Sequence, residues 1–384
     1  MKIVHVYKDY HPPVRGGIEQ TVERIARAQV ADGHEVHVLV SASGGRRTVH
    51  ETVAGVCVHR VAEWARALSS PICPAFPAEL AALSAELWHL HFPNPLGETS
   101  WLLRRPPGAT LVTYYADIVR QRALLPLYAP LVNAVLRRAD LVHVISPQAL
   151  ERSDSLVHAY RDKCRVVPLG VDAEAFLALD RGAPAAEALR RRYGGEFVLF
   201  VGRLRYYKGL GVLLDAAARM RSRVVIVGDG PMESSLREQA ARLGLGDRVV
   251  FAGAVSDDGL REHLAAAAVG VLPSIHPSEA FGLSMVEYLA AGLPAVCTEL
   301  GTGTTFVNAP GETGLAVAPH DPVALAEALD RLMADAPGRA RMGAAGRERV
   351  RRLFTTSAMM AGLEGVYAET LARHAGQRPA ATRP

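Results

Sequence analysis

Short apolar, β-rich runs alternate with helix-length amphipathic stretches along almost the whole chain, and that alternation leaves few folds open. The first series is Ile3–Val6, Val36–Val40, Leu87–Leu90, Leu111–Thr113, Leu141–Ile145 and Val166–Pro168. The second begins after Arg190-Arg191-Arg192, with Phe197–Val201, Val224–Val227, Val249–Phe251, Val269–Leu272, Ala295–Cys297 and Gly314–Val317. Strands buried on both faces are continuous apolar runs, and parallel pairing needs a long crossover, usually a helix. The pattern predicts an α/β chain with two Rossmann-like, doubly wound parallel-sheet domains, over residues 1–175 and 190–354. Asp172–Arg192, containing Gly182-Ala183-Pro184-Ala185-Ala186, is the expected linker. A last helical pattern at about 355–376 has no strand after it and is expected to cross back onto the first domain. The polar tail, 377–384, is expected to be flexible.

With 384 residues, 49% of them hydrophobic and 21% charged, the chain is long and apolar enough for two cores, which excludes the disordered class. The net charge is only +4. Arginines nevertheless come in pairs and triplets, at Arg46-Arg47, Arg104-Arg105, Arg137-Arg138 and Arg190-Arg191-Arg192. No aromatic interleaving or nucleic-acid motif accompanies them, so solvated helix faces are expected and no nucleic-acid partner. Peripheral contact with an anionic membrane surface stays open. Cys57, Cys73, Cys164 and Cys297 lack metal-ligand or C-x-x-C spacing and are expected to be structural thiols. Met1–Tyr7 opens as a strand, without the segments of a secretory signal, and no apolar run approaches the ~20 residues of a spanning helix. The expected location is the cytoplasm or the inner face of the cell membrane.

Ligands of open α/β sheets sit at the carboxyl ends of the strands, so the loops there carry the candidate chemistry. After the first strand, Gly16 and Gly17 stand where a helix begins, and free N–H groups at a helix start favour a phosphate or a sugar oxygen. The pair lacks the spacing of G-x-G-x-x-G or of a P-loop, and a Gly-Gly pair is more often a plain turn. After Phe197–Val201 comes Gly202-Arg203-Leu204-Arg205-Tyr206-Tyr207-Lys208-Gly209. Arg203 can hold a diphosphate as a fork and Lys208 can add a point charge, together offsetting charge on a leaving nucleotide. The most specific segment is Glu279-Ala280-Phe281-Gly282-Leu283-Ser284-Met285-Val286-Glu287. Its two carboxylates are a little over two helical turns apart and suit sugar and ribose hydroxyls, while Phe281–Ser284 is expected to form a first helical turn whose N–H groups reach a phosphate. Two glutamates alone would be only a solvated helix. Ala252–Val255, after Val249–Phe251, is explained by tight turning without function.

Taken in order, Gly16-Gly17, Gly202-Arg203…Lys208-Gly209, the E-x7-E segment and Gly311-Glu312-Thr313-Gly314-Leu315 resemble the retaining GT-B glycosyltransferases of family four over nearly the whole chain. The resemblance implies two Rossmann-like domains facing a central cleft. It implies that Arg203 and Lys208 clamp the diphosphate of a nucleotide-sugar donor, Glu279 contacts the transferred hexose and Glu287 the ribose. It also implies that the Phe281, Gly282, Leu283 and Ser284 amides hold sugar and phosphate, with Ala254 and Val255 near the base. The first half is similar to bacterial mannosyl- and rhamnosyltransferases through His89-Leu90-His91-Phe92-Pro93-Asn94-Pro95 and Asp117-Ile118-Val119-Arg120-Gln121, which puts Asp117, Arg120 and Gln121 near acceptor or sugar. It departs from the family at Tyr115, where a histidine near the reacting sugar is usual; a phenol does not become a cation near neutral pH.

The implied activity is retaining transfer of a hexose, of mannose or rhamnose type, from a nucleotide-diphosphate sugar such as GDP-mannose to a glycan, lipid-linked or small-molecule acceptor. No Asp-x-Asp pair is present to hold a catalytic metal, and Arg203 with Lys208 can supply that charge, so no metal or other cofactor is expected. Other readings are a GT-B epimerase or phosphorylase, or a nucleotide-sugar binding subunit without turnover. Serine hydrolysis is disfavoured because no G-x-S-x-G surrounds Ser284.

Overall fold

The computed structural model describes residues 1–67, 70–116, 125–151 and 155–377. The chain forms two compact units, one of Met1–Leu169 with Met359–Pro384 and the other of Gly170–Ala358. In the first, the order is β1 (Lys2–Val6), α1 (Gly17–Ala31), β2 (Glu35–Ser41), β3 (Val49–Val53), β4 (Val56–Val61), β5 (Ala65–Ala67), β6 (Ser70–Ile72), α2 (Phe76–Ala82), β7 (Leu87–Phe92), α3 (Pro95–Arg104), β8 (Ala109–Tyr114), α4 (Leu125–Arg138), β9 (Leu141–Val144), α5 (Gln148–Glu151) and β10 (Cys164–Val166). The main sheet runs β10-β9-β8-β7-β1-β2-β4-β3 and is parallel except for the β3–β4 hairpin. All six residues of β7 and of β8 are buried, which is why apolar residues dominate both strands, broken only by a few polar ones. α1 shows the helical period in its buried set, Val22, Ile25, Ala26 and Gln29.

The predicted strands are all present, with the sixth shifted to Cys164–Val166, where Pro168 lacks the N–H a ladder needs. β3, β4, β5 and β6 are additions. β3 is almost wholly exposed and reads VHETV, so no apolar run announces it; the hairpin turns on Ala54 and Gly55, both at positive φ (49° and 82°).

The second unit continues with α6 (Glu174–Leu177), α7 (Pro184–Arg192), β11 (Phe197–Val201), α8 (Leu210–Ala217), β12 (Arg223–Val227), α9 (Glu233–Arg242), β13 (Val249–Gly253), α10 (Asp257–Ala266), β14 (Val269–Leu272), α11 (Leu283–Ala290), β15 (Ala295–Thr298), α12 (Thr304–Val307), β16 (Gly314–Val317), α13 (Pro322–Ala334) and α14 (Ala336–Leu353). Its all-parallel sheet has the order β13-β12-β11-β14-β15-β16, the doubly wound arrangement in which the winding reverses between β11 and β14. The expected linker 172–192 is structured instead. Arg190 on α7 donates to the carbonyls of Ala265 and Ala266 at 2.8 and 3.1 Å, and Ala186 is buried. α15 (Thr356–Gln377) belongs from Met359 onward to the first unit, where Arg165 and Glu369 pair.

Candidate active site and its relatives

In the second unit, two loops leave the sheet on either side of its reversal point. The loop after β11 ends in a short turn over Tyr206–Lys208 and then Gly209, at φ 69°. Only glycine fits there, since a Cβ would lie 1.8 Å from the Pro273 carbonyl oxygen. The loop after β14 is thereby pressed against it, and Ile275 N–H donates to the Tyr207 carbonyl at 2.9 Å. This contact carries Lys208 Nζ to 2.6 Å from Glu279 Oε2. Ser274 Oγ donates to the same oxygen at 2.9 Å.

Glu279 is only 7% exposed, and Thr302 Oγ1 fixes its backbone by donating to its carbonyl at 2.8 Å. Burial pulls the Lys208 ammonium toward neutrality, but the Glu279 carboxylate, with smaller parts from Tyr207 and Glu287, holds the lysine above its ordinary value. The site thus keeps Lys208 charged beside Glu279 in a place nearly without water.

The structure brings Lys208, Glu279 and Gly202 together: a Cβ on Gly202 would stand 3.8 Å from Lys208 Nζ. Arg203 follows on the same strand end but is exposed, and its side chain makes no hydrogen bond or ion pair among the described residues. Phe281 and Gly282 do not open the helix as expected. Gly282 is its left-handed cap at φ 83°, ψ 63°, and α11 starts at Leu283, with Ser284 and half-buried Glu287 along it. Ala254 and Val255 lie in the loop from β13 to α10, directly after Gly253, the last residue of β13, whose carbonyl accepts from Gly228 N–H of the loop after β12 at 2.8 Å. Ser274 and Thr302 were not legible as site residues, because nothing in their local pattern sets them apart.

In the first unit, Gly16 is the N-cap of α1 and Gly17 its first residue. The start of that helix already carries an acid. Glu19 folds back so closely that a Cβ on Gly16 would sit 2.1 Å from its Oε2, and burial raises its carboxyl above the ordinary value.

Tyr115 heads a buried chain of hydrogen bonds that sequence reasoning missed. Its hydroxyl is 3.0 Å from His91 Nδ1, His91 Nε2 is 2.9 Å from His5 Nδ1, and His5 Nε2 is 2.7 Å from Gln29 Oε1. Gln29 Nε2 then meets the Tyr367 hydroxyl at 2.8 Å, and Tyr367 meets His89 Nδ1 at 3.1 Å. His89 Nε2 lies 2.6 Å from Thr113 Oγ1, Thr113 lies 2.9 Å from His143 Nδ1, and His143 Nε2 ends on the Val167 carbonyl at 2.7 Å.

That last carbonyl can only accept, so it fixes every proton before it. Burial lowers His5 and His143 to about 4 and His89 and His91 well below 6.5, so all four rings are neutral. His143 must carry its proton on Nε2, leaving Nδ1 to accept from Thr113, which accepts from His89 Nε2–H. The same step repeats through Tyr367, Gln29, His5 and His91. Tyr115 is therefore the donor to His91, and its oxygen is left with lone pairs only. The signal in the sequence was a polar residue at alternate positions of buried strands, aligned by the register pairs His5↔His89, His91↔Thr113 and Thr113↔His143. His5, His89 and His91 also lie close enough to share a cation, but every ring nitrogen already has a proton partner. Asp117, Arg120 and Gln121 lie outside the described residues.

The chain matches the family model of glycosyl transferases group 1 over residues 185–349 and that of Glycosyltransferase Family 4 over residues 15–175. It is 37% identical to a D-rhamnosyltransferase of Pseudomonas aeruginosa, covering 92% of both chains, and 33% identical to an O-antigen chain mannosyltransferase of Escherichia coli, covering 97% of this chain and 99% of that one. Among solved structures, a sucrose-phosphate synthase from Thermosynechococcus elongatus superposes with a TM-score of 0.81 at 26% identity, covering 97% and 99% of the two chains. An Anabaena protein solved with UDP shares the fold, with a TM-score of 0.75 at 21% identity and coverage of 96% and 100%. Two doubly wound units, a lysine–glutamate pair at the reversal point of the second, and these likenesses across both halves lead to one family: the chain belongs to the GT-B glycosyltransferases of group 1 and family 4.

Proposed function

We propose that the chain transfers a hexose of mannose or rhamnose type, with retention, from a nucleotide-diphosphate sugar, GDP-linked by preference, to a glycan, lipid-linked or small-molecule acceptor. The observation that carries this is the Lys208–Glu279 pair at 2.6 Å beside the reversal point of the sheet, where such folds bind nucleotides. Lys208 keeps two N–H donors beyond the one facing Glu279, and Arg203 is unpaired, so both can grip a diphosphate. Glu279 Oε1 and the Glu287 carboxylate offer acceptors to sugar and ribose hydroxyls. The acceptor oxygen bonds to the anomeric carbon on the face from which the diphosphate leaves. Its proton passes to the departing phosphate oxygen, whose negative charge Lys208 and Arg203 stabilise.

No metal is required in this scheme, because two fixed cations meet the leaving group. The place of action is the cytoplasm, at the inner face of the membrane where a lipid-linked acceptor would be presented; no helix among the described residues is long and apolar enough to cross a membrane. The mannose or rhamnose preference rests on what the two bacterial relatives are named for. Melting curves with GDP-, UDP- and dTDP-sugars test the donor, since the ligand that binds raises the midpoint by mass action. A rise with GDP-mannose or a GDP-deoxyhexose supports the proposal, and a rise with UDP-sugars alone overturns it. Turnover that EDTA abolishes and Mg²⁺ restores would overturn the metal-free step.

A further inference from the structure

At the N-terminal edge of the first unit's sheet, a cavity of about 380 Å³ is lined by Trp101, Arg105, Thr110, Arg138, Asp140 and His374, with Pro106–Gly108 as one wall. Thr110 and Tyr115 lie near opposite ends of the same strand, five residues or about 17 Å apart, so this is not the place where Tyr115 acts. Arg105 caps the end of α3 at φ 47°, ψ 53°, Arg138 is the last residue of α4, and His374 is in the last turn of α15. Two of the arginine pairs that the sequence left as solvated helix faces, Arg104-Arg105 and Arg137-Arg138, therefore each send one member to a single hollow. Attraction to helix C-terminal carbonyls accounts for cations at each end, but not for their meeting.

The groups there are unevenly satisfied. The Arg105 side chain makes no hydrogen bond or ion pair among the described residues, and the Arg138 side chain has only the Trp101 ring, 5.2 Å from its guanidinium carbon. Trp101 is 1% exposed and its indole N–H has no acceptor, whereas the Trp88 indole donates to Pro107 O at 2.9 Å. A buried donor without an acceptor is uncommon in native structures. Asp140 is the one acid; its Oδ2 accepts from Thr110 N–H at 2.7 Å and lies 3.4 Å from His374 Nδ1. Two guanidiniums against one carboxylate leave the hollow cationic.

We propose that this cavity binds a phosphoryl group with a neighbouring hydroxyl. Arg105 and Arg138 take the phosphoryl oxygens, and Asp140 Oδ1 accepts from the hydroxyl. The volume falls in the range of small-ligand pockets, ~300–1,000 Å³. A glycerophospholipid headgroup and a free polyol phosphate share this chemistry, and the proposal stands apart from the identity of the transferred sugar.

The test uses the full chain, with glycerol 3-phosphate in solution and, separately, vesicles of phosphatidylcholine with and without phosphatidylglycerol. Binding to glycerol 3-phosphate identifies a free ligand, and binding only to phosphatidylglycerol vesicles identifies a headgroup; either supports the proposal. In each case the Trp101 indole N–H resonance, assigned with Trp101→Phe, should move on binding. R105S/R138S should weaken binding at least tenfold, while R351S/R352S, which removes equal charge from an exposed helix end, should leave it unchanged. No binding to either probe, equal loss in both double variants, or an unmoved Trp101 signal would overturn the proposal.

Discussion

Lys208 Nζ and Glu279 Oε2 are 2.6 Å apart, with 12% and 9% of their side chains exposed, and each is the other's main compensation for leaving water. Breaking such a pair from one side strands a charge, at a cost of about 3 kcal/mol or more. Lys208→Ala should therefore lower the melting point of the second unit as well as abolish turnover. Lys208→Met with Glu279→Leu should regain much of the stability and none of the activity. Full stability in Lys208→Ala would show that the carboxylate is not stranded there.

Arg203 contrasts with its neighbour. It is exposed and its side chain is bound to nothing among the described residues, so Arg203→Ala should change stability by no more than about 0.5 kcal/mol. Turnover should still fall by about a hundredfold, because the guanidinium meets charge that grows only as the bond breaks. Calorimetry and initial rates on the same preparation check both halves; unchanged rates would remove Arg203 from the site.

The chain of protons behind Tyr115 can be cut at its middle. Thr113→Val keeps the shape but leaves His89 Nε2–H without an acceptor and His143 Nδ1 without a donor, each unmet group costing about 1–3 kcal/mol. Thr113→Ser should keep both bonds. Nitrogen-15 spectra of labelled histidine should show His5, His89, His91 and His143 protonated on Nε2 in the wild type. A ring protonated on Nδ1, or shifts induced by a bound metal, would refute the assigned direction.

Acid should loosen the first unit. His5 and His143 titrate at about 4 in the folded chain and near 6.5 unfolded, so the unfolded state takes protons first as pH falls through that window. Their stabilisation is complete above 6.5 and is lost on the way down to 4, roughly 3 kcal/mol for each ring. Glu98 acts in the opposite sense: burial lifts it to about 7, so its contribution is present below about 4.5 and is lost as pH rises through 7. The four histidines outnumber it. Hydrogen exchange of β1 and β7 amides should slow from pH 4 to 6.5 after correction for intrinsic rates, and Glu98→Gln should steepen that trend. A flat profile would contradict it.

The sequence carried the parallel strands because burial on both faces leaves nothing but apolar residues in Phe197–Val201 or Val269–Leu272. It carried Lys208 and Glu279 because their spacing within two motifs is local. It could not carry the exposed strand Val49–Val53, whose residues answer to solvent on both sides. Nor could it carry the histidine chain, since Thr113 and His143 are 30 residues apart and meet only through register. Gly282 marks an intermediate case: a helix pattern was visible there, but the left-handed cap that delays the helix by two residues was not.

α15 supplies Tyr367, the hydroxyl that joins Gln29 to His89, from a point beyond the entire second unit. A ribosome making this chain finishes Gly170–Ala358 while the earlier unit still lacks that link. The segment synthesised first is thus the one completed last, and a chain cut short before residue 367 would lose the direction of every proton between Gln29 and Tyr115.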